Sequence, residues 1–121
     1  MSGRSAIARL TDIVEASEKI RDLLRNLSLE SFEADWQMQW LVERGIEIIS
    51  EASRRLPEDI KKRHSNIPWP KVAGIGNVLR HNYEHVSAAI LWTLVRTELP
   101  MLEHICRDEL TAELAKEQPE S

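Results

Sequence analysis

The sequence predicts an all-α protein, an up-and-down bundle of four to five helices. Apolar residues recur at steps of three and four along most of the chain, the spacing that places them on one stripe of a helix. The sequence has no alternating β-branched run bounded by hairpin turns, and it contains only 4 glycines. Its 121 residues are enough to bury the core of one domain. We predict a single helical domain at 1–114 and a flexible acidic tail at 115–121.

The first two helices follow from the apolar pattern. Helix one is predicted at about residues 5–28. Helix two is predicted at about residues 32–56, with Ser31 as its N-cap and Pro57 as its end. The predicted inner stripe of helix one is Ile7, Leu10, Ile13, Val14, Ser17, Ile20, Leu24 and Leu27. That of helix two is Trp36, Trp40, Glu43, Ile46, Ile49 and Ala52.

Prolines and a serine delimit the remaining helices. Pro57 suits the first turn of a short helix that ends at about Arg63, and residues 64–68 form the clearest loop. A third helix then starts at Trp69 with Pro in its opening turn. Ser87 can cap a fourth helix, and Pro100 permits either a kink or a fresh start.

Four tryptophans contribute a large apolar side-chain surface for a small bundle to bury. We expect most of them in the core. Trp36 and Trp40 have a second interpretation, in which they cover a subunit interface.

Charge and cysteine content narrow the class of protein. A net charge of −4 argues against a generally basic nucleic-acid coat, so RNA contact requires a local patch. The basic residues at positions 54, 55 and 61–64 could form such a patch, or simply a solvated face. The single Cys106 cannot form an internal disulfide, and no run could span a bilayer. We therefore expect a soluble, cytoplasmic protein.

Residues 76–83 hold the strongest chemical signal. Arg80, His81 and Tyr83 fall within one helical turn, and Asn77 lies one turn before His81. Phosphodiester cleavage needs one group to hold phosphate charge and another to move protons, the roles of a guanidinium and an imidazole. A surface ion pair of Arg80 with Glu84 is the simpler alternative.

A zinc site is a weaker interpretation of the same stretch. His81, Glu84 and His85 formally match the H-x-x-E-H pattern of inverted zinc peptidases. Such an enzyme needs a further ligand, for which Glu98 or Glu103 would be required, and a substantial cleft. We treat the match as accidental and expect no metal.

The chain resembles the HepT-like members of the HEPN superfamily from about Arg9 to Ile105. The segments that carry the resemblance are Leu10–Ile13, Glu43–Ala52, Ile67–Gly74, His81–Tyr83, Leu91–Trp92 and Leu99–Pro100. The family motif is an Arg, usually followed by Asn, then a His five positions after the Arg and a Tyr two beyond that His. Asn77, His81 and Tyr83 match it, whereas Gly76 occupies the Arg position. Arg80, one turn later, is our proposed substitute; otherwise Gly76 marks a weakened or lost nuclease.

The resemblance implies a function and its partners. HepT-like proteins act as ribonuclease toxins of toxin–antitoxin pairs, and their motifs meet across a homodimer. For this chain we expect a metal-independent endoribonuclease that needs no cofactor. A cognate nucleotidyltransferase antitoxin of the MntA type silences the toxin by attaching AMP to the motif tyrosine, here Tyr83. The expected catalytic residues are Arg80, His81 and Asn77, acting on RNA. The alternative is a non-catalytic helical binding module that has kept the dimer.

Overall fold

The computed structural model describes residues 2–81 and 87–117, with side chains for 5–79 and 87–117, and these ranges contain seven helices and no strand. The all-α prediction is therefore confirmed. The helices are α1 (Ser2–Leu24), α2 (Leu29–Glu33), α3 (Trp36–Arg54), α4 (Glu58–Arg63), α5 (Trp69–His81), α6 (Ala88–Thr97) and α7 (Leu99–Glu117). None of the helices in this part of the chain is both long and apolar enough to cross a membrane.

The long helices pack side by side around one core. α3 lies between α1 and α5, and α1 in turn packs against α7. α6 contacts α7, α3 and the short α2. The predicted stripe of α1 is largely correct, because Leu10, Ile13 and Ile20 are fully buried at its centre. Burial of these apolar side chains is the main contribution to the stability of the bundle.

The region predicted as a single helix at 32–56 is two helices. Ser28, and not Ser31, caps α2: its Oγ accepts a hydrogen bond from the Ser31 N–H at 3.1 Å. The chain leaves the helix after Ala34, and Asp35 then caps α3 by accepting from the Met38 N–H at 3.0 Å. Because Asp is among the best N-cap residues, this second cap starts a new helix.

The placement of Trp36 and Trp40 in the core is wrong. Their side chains are 57% and 64% exposed, and they contact each other edge to face with ring centroids 4.8 Å apart. The inner face of this turn belongs instead to Gln39 and Val42. The Nε2 of buried Gln39 donates to the Phe32 carbonyl at 2.8 Å, which satisfies the last turn of α2 and rotates both tryptophans outward. Their role at a subunit interface stays a prediction.

The starts of α4, α6 and α7 follow the predicted signals closely, whereas α1 ends at Leu24, four residues before its predicted end. Pro57 precedes α4, and Ser87 caps α6 by accepting from the Ala89 N–H at 3.2 Å. Of the two alternatives at Pro100, the fresh start is correct, because α7 begins at Leu99. α7 continues to Glu117, three residues past the predicted end of the domain.

Most of the basic residues considered as an RNA patch are engaged in ion pairs. Glu109 of α7 accepts from Arg63 at 2.8 Å and contacts the His64 Nε2 at 2.7 Å. Hydrogen bonding from Arg63, followed by that from His64, holds the pKa of Glu109 below its usual value although burial opposes this. Arg54 and Arg55 both pair with Glu51. These contacts favour the interpretation of the segment as a paired surface that attaches α4 to its neighbours.

Cys106 packs in the core. Its side chain is fully buried, and burial raises the pKa of the thiol to about 12. A thiol with such a pKa is a poor nucleophile at neutral pH. The interpretation of Cys106 as a packing residue therefore agrees with its surroundings.

Candidate active site

The candidate site lies on α5, which is fixed at its start by a tryptophan. Trp69 is 8% exposed, and its indole Nε1 donates to the carbonyls of Lys61 at 3.1 Å and His64 at 3.0 Å. Both carbonyls belong to the end of α4 and the turn after it. The first turn of α5 is thereby attached to the preceding segment.

Ser50 of α3 fixes the middle of α5. Its hydroxyl donates to the Ala73 carbonyl at 2.7 Å, and its oxygen accepts from the Gly76 N–H at 3.1 Å. Arg54, one turn along α3, donates to the same Ala73 carbonyl at 2.7 Å. These three bonds join side chains of α3 to the backbone of α5, so they set both the separation and the rotation of the two helices.

Gly76 permits this close approach. A Cβ atom placed on Gly76 would lie 2.7 Å from the Oγ and 2.9 Å from the Cβ of Ser50, and contacts this short are not sustained in proteins. Any larger residue at position 76 therefore requires Ser50 to move. The motif arginine that the family pattern places here would fit only if Ser50 moved away from α5.

The rotation of α5 separates the candidate residues into two adjoining rows. Successive residues of a helix turn by about 100°, so the backbone of Arg80 lies about 40° from that of Gly76, one turn further along. His81 bears the same relation to Asn77. Arg80 and His81 are the last two residues of α5, and Asn77 is exposed and takes part in an interaction. Leu79, on the buried side, keeps this turn attached to the core.

The structure therefore brings Asn77, Arg80 and His81 together on the final turns of one helix. Tyr83 lies outside the described residues, as do Glu84 and His85. The assignment of the catalytic and modified residues stays a prediction.

The two residues that sequence reasoning missed are Ser50 and Arg54. Both lie far from the motif in sequence and contact it only through the α5 backbone. The only available signal was the pairing of small residues, Ser50 on one helix and Gly76 with Ala73 on the other, which is typical of helices that approach closely.

The residues that the structure describes contain no grouped set of side chains that could serve as zinc ligands. Among them, no three His, Cys, Asp or Glu side chains are grouped so that they could hold a metal ion. Glu103 accepts hydrogen bonds from Arg21 and Arg107, and Glu98 lies 3.7 Å from the Lys71 ammonium. Both carboxylates considered as a further ligand thus have cationic partners.

Comparison with known proteins gives a consistent result. The HepT-like family, described as ribonuclease HepT-like, matches residues 13–109. "Probable ribonuclease HepT" of Thermococcus cleftensis is 40% identical over 93 residues, which is 77% of this chain and 84% of that protein. A candidate RNase of Methanocaldococcus jannaschii is 30% identical over 84% of this chain and 94% of its own length. A candidate RNase of Caldanaerobacter subterraneus is 32% identical over 86% of this chain and 93% of its own length.

No solved structure matches the chain. The family match spans α3 and α5 completely, and with them the Ser50–Gly76 contact and the positions of Asn77, Arg80 and His81. On this extent of similarity, the chain belongs to the HepT-like ribonuclease family.

Proposed function

We propose that this protein is a cytoplasmic, metal-independent endoribonuclease and the toxin of a toxin–antitoxin pair. The observation that carries the proposal is the family match across the end of α5, where Asn77 and His81 keep the spacing of the family motif. The ribonuclease names of the relatives support RNA as the substrate.

The proposed chemistry is transesterification within the RNA chain. His81 accepts the proton of a 2′-hydroxyl, whose oxygen attacks the adjacent phosphorus and displaces the 5′-oxygen of the next nucleotide. That leaving oxygen takes a proton from His81 of the second protomer in a homodimer. Arg80 stabilises the negative charge that develops on the phosphoryl oxygens, and Asn77 bonds phosphate or orients His81.

Purified protein is expected to cleave single-stranded RNA in the presence of EDTA and to leave DNA of the same sequence intact. The reason is that the nucleophile is the substrate's own 2′-hydroxyl, which DNA lacks, and that protein side chains move the protons. Gel analysis of end-labelled oligonucleotides measures both results, and the products should carry 2′,3′-cyclic phosphate and 5′-hydroxyl ends. Cleavage of DNA at a similar rate, or activity restored only by a divalent cation, would contradict the mechanism.

The second candidate is a non-catalytic helical binding module. The observation that favours it is the Ser50–Gly76 contact, because this contact leaves no room for the motif arginine at position 76 unless Ser50 moves. Such a protein would fold, self-associate and leave RNA intact. Induced expression without growth arrest, together with no cleavage by the purified protein, would favour this second function.

Tyr83 is the proposed site of antitoxin control. The antitoxin is a nucleotidyltransferase of the MntA type: the phenol oxygen of Tyr83 attacks the α-phosphorus of ATP, pyrophosphate leaves, and the phenol proton is released. Tyr83 follows His81 by two residues and Arg80 by three in the sequence, so we expect the charge and bulk of the AMP phosphate to compete with RNA for the phosphate-binding space.

Co-expression with a nucleotidyltransferase encoded beside this chain is expected to add the mass of one or more adenylyl groups to the peptide that contains Tyr83. The modified protein should lose RNA cleavage, because the added phosphate occupies the site. Intact and peptide mass spectrometry measures the modification, and Tyr83→Phe is the control that should remain unmodified. An adenylyl group found on Tyr83→Phe protein, or none on the parent, would refute this assignment.

A further inference from the structure

A cleft lined by arginines lies between α1, α6 and α7, outside the candidate active site. It has a volume of about 490 Å³. Its walls carry four arginines, one histidine and one carboxylate, with apolar groups between them. The polar lining residues are Arg21, Arg25, Arg96, Glu103, His104 and Arg107. This concentration of guanidinium groups is unexpected in a chain of net charge −4.

Glu103 organises one wall of the cleft. Its side chain is almost buried, and it accepts hydrogen bonds from Arg21 of α1 and from Arg107 of α7, the latter at 2.8 Å. Burial raises the pKa of Glu103, but the bonds from Arg107 and Arg21 outweigh this effect and lower it. The carboxylate is therefore ionised at neutral pH. Arg107 also donates to Glu18 of α1 at 3.2 Å. Each guanidinium has five N–H donors, so Arg21 and Arg107 keep donors beyond those that these carboxylates use.

Arg25 is held more loosely. It pairs with Asp22 one turn away on α1, and both side chains are more than half exposed. Exposed pairs of this kind add little to stability, so a phosphate can replace the carboxylate at little cost. Guanidinium groups bind phosphate through two parallel hydrogen bonds, which makes such an exchange favourable.

Arg96 adds a planar surface. Its guanidinium carbon lies 4.3 Å from the ring centroid of Trp92, so the group is stacked on the indole. A guanidinium plane is also a surface on which unpaired RNA bases stack. The apolar side chains of Val95 and Leu99 line the cleft beside it. A simple inorganic anion would use only the charges of this cleft, whereas a nucleotide would use the charges and the planar surface.

We propose that this arginine cleft binds single-stranded RNA at a point away from the scissile phosphate, with Arg25 on the backbone and Arg96 beneath a base. The proposal rests on the proposed ribonuclease function and names where its substrate is held. None of the residues that line the cleft belongs to α5, which carries the candidate active site.

The test compares two double variants in the His81→Ala background, where RNA is not consumed. Arg25→Gln with Arg96→Gln removes two charges from the cleft. Arg44→Gln with Lys116→Gln removes two exposed charges elsewhere, each from an i,i+3 ion pair. Binding of a fluorescent 2′-O-methyl RNA oligonucleotide is measured by anisotropy across a salt series, and circular dichroism melts check folding.

The cleft variant is expected to raise the Kd for RNA by about tenfold at low salt, through the loss of one phosphate contact and one stacking surface. It should lower the slope of log K against log salt by about 0.7, the value for the one phosphate contact that Arg25 makes on a single strand. The control variant should change the Kd by less than about twofold. Equal weakening by both variants, or no change in either, would overturn the proposal. If the parent protein cleaves RNA and the cleft variant binds RNA as tightly as the parent, the proposal that the cleft binds RNA is refuted and the proposed ribonuclease function stands. If the cleft variant binds RNA more weakly but the parent protein does not cleave RNA, only the proposed ribonuclease function is refuted.

Discussion

Replacing His81 by alanine is expected to lower the rate of RNA cleavage by about 10²–10⁴-fold, the usual contribution of a general acid or base. Replacing Arg80 by alanine is expected to lower kcat by about 10²–10³-fold, because a donor aimed at developing charge acts mainly in the transition state. Single-turnover cleavage of an end-labelled oligonucleotide measures both effects.

The controls separate chemistry from folding and from general charge. Arg44→Ala removes an exposed arginine from α3 and should leave the rate within about twofold of the parent. Arg80→Lys keeps the charge but loses the bidentate geometry, so it should recover only part of the activity. If Arg80→Ala and Arg44→Ala cleave RNA equally fast, Arg80 does not hold the phosphate and the substitution for Gly76 is wrong.

The sequence was sufficient for the fold class because the apolar periodicity of α1 and the caps at Pro57 and Ser87 are local signals. It was insufficient at Trp36 and Trp40, where hydrophobicity predicted burial. The cap at Asp35 and the bond from Gln39 to Phe32 settle the rotation of α3 instead, and they rotate both indoles toward solvent. A polar side chain that bonds the free backbone groups at a helix end can thus decide which face of the next helix is buried. A prediction from the hydrophobic pattern alone does not include the energy of such hydrogen bonds.

For the candidate site too, the sequence was sufficient to identify some residues and insufficient for others. Asn77, Arg80 and His81 were identified from spacing on one helix and from family resemblance. Ser50 was not, because its contribution is a contact with Gly76, which lies on another helix and 26 residues away in the sequence. Gly76 was interpreted as a missing arginine, whereas its structural role is to admit the hydroxyl of Ser50.

Glycine substitutions on α5 test this role directly. Gly76→Ala is expected to destabilise the protein by about 1–3 kcal/mol, the cost of overpacking, since its new Cβ would meet Ser50 at 2.7 Å. Gly74→Ala is the matched control: nothing lies within 4 Å of its new Cβ. It should therefore stabilise α5 by about 0.5–1 kcal/mol through helix propensity. Urea unfolding measures both free energies, and equal effects of the two substitutions would show that the close contact with Ser50 has no energetic importance.

Gly76→Arg restores the family motif and is expected to destabilise the fold at least as much as Gly76→Ala. Ser50→Gly removes the two atoms that would lie within 3 Å of the new Cβ. The cost is about 1 kcal/mol for glycine in a helix, together with the loss of two hydrogen bonds. The destabilisation caused by Gly76→Arg should therefore be smaller in the Ser50→Gly background. A double-mutant cycle with a coupling energy of about 1 kcal/mol or more would establish that Ser50 is what excludes the motif arginine.

The same background tests whether the guanidinium has been transferred along the helix. Arg80→Ala alone should be nearly inactive. The triple variant, Ser50→Gly with Gly76→Arg and Arg80→Ala, should cleave RNA at least about tenfold faster than Ser50→Gly with Arg80→Ala, because its arginine at position 76 again reaches the phosphate beside His81. Ser50→Gly with Arg80→Ala is the control that lacks the returned arginine. If the triple variant folds, as its unfolding curve will show, and is no faster than this control, positions 76 and 80 do not serve the same phosphate.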